Sequence, residues 1–205
     1  MDDNLTEIIM ILDESGSMGS LTADTIGGFN TFIETQRKEP GKALVTLVKF
    51  NSVSTVVYSG VDLANVKPLD HTAYRPNGMT ALYDAIGKAC NKVGERLSNT
   101  PEEQRPSKVM VVIITDGEEN SSREFNREKI KEIIDFQTNV YNWTFLFIGA
   151  NIDAAMVGGS MGISQTANYT ADAAGTKSLY NTVSQVTASY RSTGTVSKDW
   201  NKTIR

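Results

Sequence analysis

The stretch Glu7-Ile8-Ile9-Met10-Ile11-Leu12-Asp13-Glu14-Ser15-Gly16-Ser17 decides the fold. Residues 7–13 read as a strand that is apolar almost throughout and ends in an acid, followed by Ser and Gly. Ile26, Phe29, Phe32 and Ile33 come next at helical spacing, so the order is strand then helix. A second run of the same kind, Val109-Met110-Val111-Val112-Ile113-Ile114-Thr115, leads into Asp116-Gly117. Strands with no polar face are covered on both sides, the mark of a parallel sheet held between helices.

Outward from these two runs the pattern repeats. Residues 43–50 and 53–59 are rich in Val, Thr, Phe and Tyr, and only Asn51-Ser52 lies between them, so they pair antiparallel as a hairpin. Beyond a long loop through Pro68, Tyr74, Pro76 and Gly78, the residues Leu82, Ile86, Ala89, Val93 and Leu97 mark one helix face. Ser121 and Glu124 have capping-box spacing and predict a helix carrying Phe125, Ile130, Ile133 and Ile134. Residues 143–148 are again apolar, 151–162 suit a short helix, and 167–170 suit a short edge strand. Leu179, Val183, Val186 and Tyr190 face inward from a last helix over 174–191. The expected fold is a three-layer, Rossmann-like α/β open sheet, mostly parallel, with one antiparallel strand near its edge and helices on both faces. It forms a single domain over 1–191; residues 192–205 read as a polar tail frayed from the core.

Composition narrows the function. The chain has 205 residues, 40% of them hydrophobic, and 20 Lys and Arg against 24 Asp and Glu, a net charge of −4. No positive excess is present to neutralise phosphates or an anionic bilayer, which argues against nucleic acid and membrane as partners. The apolar runs fall far short of the roughly 18 residues of a spanning helix, and the start, Met1-Asp2-Asp3-Asn4, is acidic where a signal peptide is basic. A cytoplasmic setting is therefore expected. One cysteine, Cys90, and one histidine, His71, form neither a disulfide nor a zinc site, so any metal is bound by oxygen. Cys90 falls on the apolar side of its helix as a small hydrophobe, and His71 reads as an exposed loop residue. Gly158-Gly159-Ser160-Met161-Gly162 lacks the strand and the Gly-Lys-Ser/Thr of a phosphate loop and reads as a helix end.

In an open parallel sheet, ligands bind beyond the carboxyl ends of the strands. There the first strand offers Asp13, Ser15 and Ser17, with Gly16 letting the chain turn so that the three converge; the other apolar run offers Asp116. Gly78-Met79-Thr80 adds a hydroxyl at a helix start. Asp13, Ser15, Ser17, Thr80 and Asp116 thus supply five oxygen side chains from three loops. Hard, small Mg²⁺ or Mn²⁺ suits them, ahead of Ca²⁺, with waters retained and a coordination position open.

These loops resemble the von Willebrand factor A domain and its metal-ion-dependent adhesion site. Gly78-Met79-Thr80-Ala81-Leu82-Tyr83-Asp84-Ala85-Ile86 and Thr115-Asp116-Gly117-Glu118-Glu119-Asn120 are similar to the motifs of stand-alone bacterial members. The resemblance implies that Ser15, Ser17 and Thr80 coordinate the metal directly, that Asp13 and Asp116 hold it partly through waters, and that a partner protein's Asp or Glu fills the open position.

Physical arguments rank the possible functions. With Asp13 and Asp116 the only formal charges at the metal, a divalent ion is just neutralised and attracts a partner's carboxylate. The principal reading is a non-enzymatic, metal-dependent protein-interaction module. The alternative is a Mg²⁺-dependent phosphohydrolase with Asp13 as nucleophile, against which stands Ser15, too weak an acid to protonate a leaving group. A purely structural metal is the third reading. Glu14, Glu118 and Glu119 crowd the site, and their charge would work against an acidic partner.

Overall fold

The computed structural model describes residues 1–204. The chain runs β1 (Asp2–Asp13), a 3-10 turn over Gly16–Leu21, α1 (Thr22–Arg37), β2 (Lys42–Phe50), β3 (Ser54–Asp62), α2 (Leu82–Ser98) and β4 (Pro106–Thr115). Then follow α3 (Arg127–Tyr141), β5 (Thr144–Gly149), α4 (Ala154–Ser160), β6 (Gln165–Asn168) and α5 (Ala173–Thr193). The strands form one six-stranded sheet in the order β3-β2-β1-β4-β5-β6. All pairs are parallel except β2 with β3.

Alternation along β1 divides the core. Ile8, Met10 and Leu12 pack with Phe29 and Phe32 of α1 and Leu179 and Val183 of α5. Ile9 and Ile11 pack on the other face with Ile86 and Val93 of α2 and Ile130 and Ile134 of α3. These two apolar layers make the three-layer α/β architecture expected from the uninterrupted hydrophobic runs. The strand order reverses at β1, with β2 on one side and β4 on the other. The carboxyl ends of β1 and β4 therefore border the crevice where such sheets take ligands.

α1 and α5 touch through Gly28, where a Cβ would stand 2.1 Å from Cδ2 of the buried Tyr180 ring. Gly28→Ala is expected to push the two helices apart and cost about 1–3 kcal/mol in urea unfolding, the usual range for overpacking.

Two expectations are corrected. Ser121 and Glu124 do not open a helix: α3 starts at Arg127, and the Asn126 side chain accepts from Lys129 N at 2.9 Å. The amides of Arg123, Glu124 and Phe125 are instead taken by Asp84, and Phe125 packs from the loop onto Gly87. The segment after residue 191 is not frayed either. α5 continues to Thr193, and Trp200 is 8% exposed and joins the α1/α5 layer. Asn201 Nδ2 donates to Thr166 O and Ser178 Oγ to Thr203 O, both at 2.8 Å. One indole carries enough apolar area to dock a segment that is otherwise polar.

The remaining elements lie where the periodicity puts them, within a few residues. The hairpin strand runs on to Asp62 through a register shift against β2, and the edge strand begins two residues early, at Gln165. Gly158 and Gly159 fall in the last turn of α4, as a helix end.

Candidate metal centre

β1 delivers Asp13 fully buried at its carboxyl end. Its Oδ1 accepts from Ser15 N at 2.7 Å, folding the next residues back over the strand, and its Oδ2 accepts from Thr115 Oγ1 at 2.6 Å. Ser15 Oγ and Ser17 Oγ are 3.0 Å apart, and Ser17 Oγ donates to Asp116 Oδ1 at 2.6 Å. Thr80 arrives on the loop before α2. Gly16 N donates to Gly78 O at 3.1 Å, with Gly78 at φ +74°, and Thr80 and Asn120 exchange two hydrogen bonds, of 2.9 and 3.0 Å. A Cβ built on Gly117 would stand 3.8 Å from both Ser17 Oγ and Thr80 Oγ1, so a glycine there leaves these hydroxyls room to face each other. The five residues singled out from the sequence are thus brought to one place, by three loops.

Its electrostatics are those of an acid pair lacking a cation. Among the described residues no Lys, Arg or His pairs with Asp13 or Asp116. Burial raises the Asp13 carboxyl above its ordinary range; hydrogen bonds from Thr115 and Ser15 oppose this and the charge of Asp116 adds to it. Burial also raises Asp116, against the hydrogen bond from Ser17. Two desolvated carboxylates with three hydroxyls at hand fit a hard divalent cation, which would relieve the charge that burial penalises.

The expected crowding by glutamates is largely removed. Glu14 is buried and faces Lys49 at 2.8 Å and Arg75 N at 2.5 Å, which compensates its charge. Glu119 is occupied by the amides of Tyr83, Ser121 and Ser122 and by the Ser122 hydroxyl, at 2.7–2.9 Å. Only Glu118 is exposed with no ion-pair partner among the described residues. His71 is exposed and Cys90 buried, its thiol pushed up to about 12 by desolvation, as suits an inert hydrophobe.

Several residues that hold the site were not singled out from the sequence. Thr115 and Tyr74 anchor Asp13, Tyr74 by donating its buried hydroxyl to Asp13 O at 2.6 Å. Asn120, Glu119 and Asp84 tie the start of α2 to the loop after β4. Asp84 Oδ1 accepts from Glu124 N and Phe125 N, both at 2.9 Å, Oδ2 accepts from Arg123 N at 3.0 Å, and Asp84 N donates to Ser122 Oγ at 3.0 Å. The available signal was an acid in the first turn of a helix, which ordinarily serves only its own helix's amides.

Burial pushes the Asp84 carboxyl up, but the three amides and Lys88 outweigh it and leave it below its ordinary value. Its stabilising contribution is therefore present above the unfolded-state value of 3.8 and lost as pH falls through the lower folded-state value. Asp84→Asn is expected to cost about 1–3 kcal/mol at pH 7 and much less at the acid end of that window, measured by urea unfolding against pH.

A three-layer sheet with an oxygen-lined crevice at its topological switch point defines the class. The chain belongs to the von Willebrand factor type A domain family, whose sequence model matches residues 7–182. No curated protein sequence matches the chain. Among solved structures it is similar to a von Willebrand factor type A protein from Catenulispora acidiphila, with TM-score 0.58 and 16% identity over 89% of this chain and 42% of that one. A mutant PilB minor pilin from Streptococcus sanguinis gives TM-score 0.62 and 10% identity over 93% and 63%. The ArnB paralog VWA2 from Sulfolobus acidocaldarius gives 0.56 and 16% over 91% and 45%. The chain thus spans less than two thirds of each of these proteins, and the likeness at such identities is one of fold.

Proposed function

We propose that this domain is a metal-dependent protein-interaction module with a metal-ion-dependent adhesion site. Asp13, Ser15, Ser17, Thr80 and Asp116 would hold Mg²⁺ or Mn²⁺, and a partner protein would supply an Asp or Glu. The observation that carries the reading is the meeting of three hydroxyls with two buried carboxylates that no side-chain cation compensates. The bound ion would supply a positive charge, which the two acids just neutralise, with room for one more oxygen ligand. Thr115 and Tyr74 hold Asp13 in place, and Asn120 fixes the backbone on both sides of the Thr80 peptide. The stand-alone bacterial type and a cytoplasmic setting belong to the same proposal; no helix among the described residues is long and apolar enough to cross a membrane.

The phosphohydrolase reading is disfavoured by the position of Asp13. It is fully buried, each of its carboxylate oxygens already accepts a hydrogen bond, and the neighbour two residues on is a serine. A nucleophile must instead present a free oxygen to phosphorus. p-Nitrophenyl phosphate with Mg²⁺ or Mn²⁺ is the test. No turnover is expected; turnover by the wild type that Asp13→Asn abolishes would replace the interaction module by an enzyme.

Binding itself is tested by a pulldown in Mg²⁺ and in EDTA, wild type beside Thr80→Ala. Partners should be retained only by the wild type with metal and lost when their own acidic residue is changed to Asn, since an amide keeps the shape but not the charge. Equal retention in EDTA would sink the reading.

A further inference from the structure

The partner's chemistry is narrowed by what surrounds the crevice. The loop carrying Thr80 lies between the metal loop and the tip of the β2–β3 hairpin. On one side Gly16 N bonds Gly78 O at 3.1 Å; on the other, Met79 N bonds Ser52 Oγ at 2.9 Å and Ala81 N bonds Asn51 O at 2.8 Å. Both apolar residues on this flank are left in solvent: Met79 is 52% exposed and Val53 66%. Backbone hydrogen bonding holds them there, not packing. The opposite flank is polar, with Gly117, exposed Glu118, exposed Asn120, and exposed Asn151, whose Nδ2 lies 3.4 Å from Asp116 O.

From this asymmetry, and resting on the metal reading above, we propose that the partner segment is an Asp or Glu with an apolar side chain beside it, the acid at the metal and the apolar group on Met79 and Val53. Consecutive Cα atoms are about 3.8 Å apart, so Met79 lies one residue's breadth from Thr80. An extended segment advances about 3.3 Å per residue, which sets its apolar side chain one to three positions from the acid. A run of acids is not accepted, because Glu118 repels a second carboxylate on the far flank. Exposed apolar side chains gain by being covered, whereas the surrounding asparagines only exchange water for partner hydrogen bonds.

The test is selection of random peptides displayed on phage in Mg²⁺, with elution by EDTA, alongside Mg²⁺ calorimetry. Eluted peptides are expected to carry an Asp or Glu with Leu, Ile, Val, Met or Phe within three positions. The double change Met79→Ser with Val53→Ser should weaken a selected peptide about tenfold. Met79→Leu should keep its affinity, and the Mg²⁺ titration should be the same in all three proteins. Mg²⁺-dependent peptides with an acid but no apolar neighbour, or unchanged affinity in the double variant, would overturn this inference and leave the metal reading standing. Absence of Mg²⁺ binding, or of any EDTA-eluted peptide, would overturn both.

Discussion

Asp13→Ala is expected to erase a Mg²⁺-dependent rise in melting temperature that the wild type shows at saturating metal. An ion bound only by the folded state at a hundred times its dissociation constant stabilises it by about 2.7 kcal/mol, or roughly 5–10 °C for a domain of this size. The variant also loses the Thr115 and Ser15 hydrogen bonds, so its melting point without metal shifts as well; the quantity that tests the site is the difference between Mg²⁺ and EDTA for each protein. Acid has a definite sign here. Both site carboxyls are raised by burial, so without metal the folded state is favoured below the unfolded-state value of 3.8, and this advantage is lost as pH rises through the raised folded-state values. The metal needs the ionised forms, so the metal-dependent rise should shrink on acidification at a higher pH than ordinary carboxylates would give. A rise of equal size in Asp13→Ala, by differential scanning fluorimetry or calorimetry, would remove the site.

Arg96→Ala should be among the most destabilising single changes in the protein, far from the metal loops. Glu7 of β1 is fully buried; its Oε1 accepts from Thr46 Oγ1 at 2.7 Å and from Arg96 Nη2 at 2.8 Å, and its Oε2 has no partner. The guanidinium reaches it across the hairpin at Gly60, φ +63°, where a Cβ would stand 2.7 Å from the Arg96 Cζ. Removing the arginine leaves a buried carboxylate uncompensated, at a cost of about 3–5 kcal/mol. Burial raises the Glu7 carboxyl against the opposing pull of Arg96 and Thr46, and in Arg96→Ala it rises further. Glu7 then favours the folded state at low pH and loses that contribution as pH rises through its raised value, so the deficit should be largest at neutral pH and narrow below about pH 5. Glu7→Leu with Arg96→Met should recover most of the loss, because apolar groups of similar volume need no pairing. Urea unfolding of the single and double variants at pH 7 and pH 4.5 checks both statements.

The sequence by itself determined the sheet and the candidate ligands. The hydrophobic runs of β1 and β4 bear strand and burial in residues next to one another. A parallel sheet places whatever follows such strands at one edge, so Asp13, Ser15, Ser17 and Asp116 were legible from position, and Thr80 from the start of the next helix. The tertiary structure decided which charges remain free there. Glu14 and Glu119 read as crowding acids, yet one is matched by Lys49 and the other consumed by amides. Lys49 lies on a different strand from Glu14, and the Tyr83 amide on a different element from Glu119. It likewise moved the start of α3 to Arg127, because Asp84 of α2 captures the amides that a local capping box would have used, and it docked the polar tail through Trp200. Periodicity records how a residue relates to its neighbours along the chain. A carboxylate, however, goes to whichever unpaired N–H or cation the fold brings within hydrogen-bonding distance, and that distance exists only once the elements have packed.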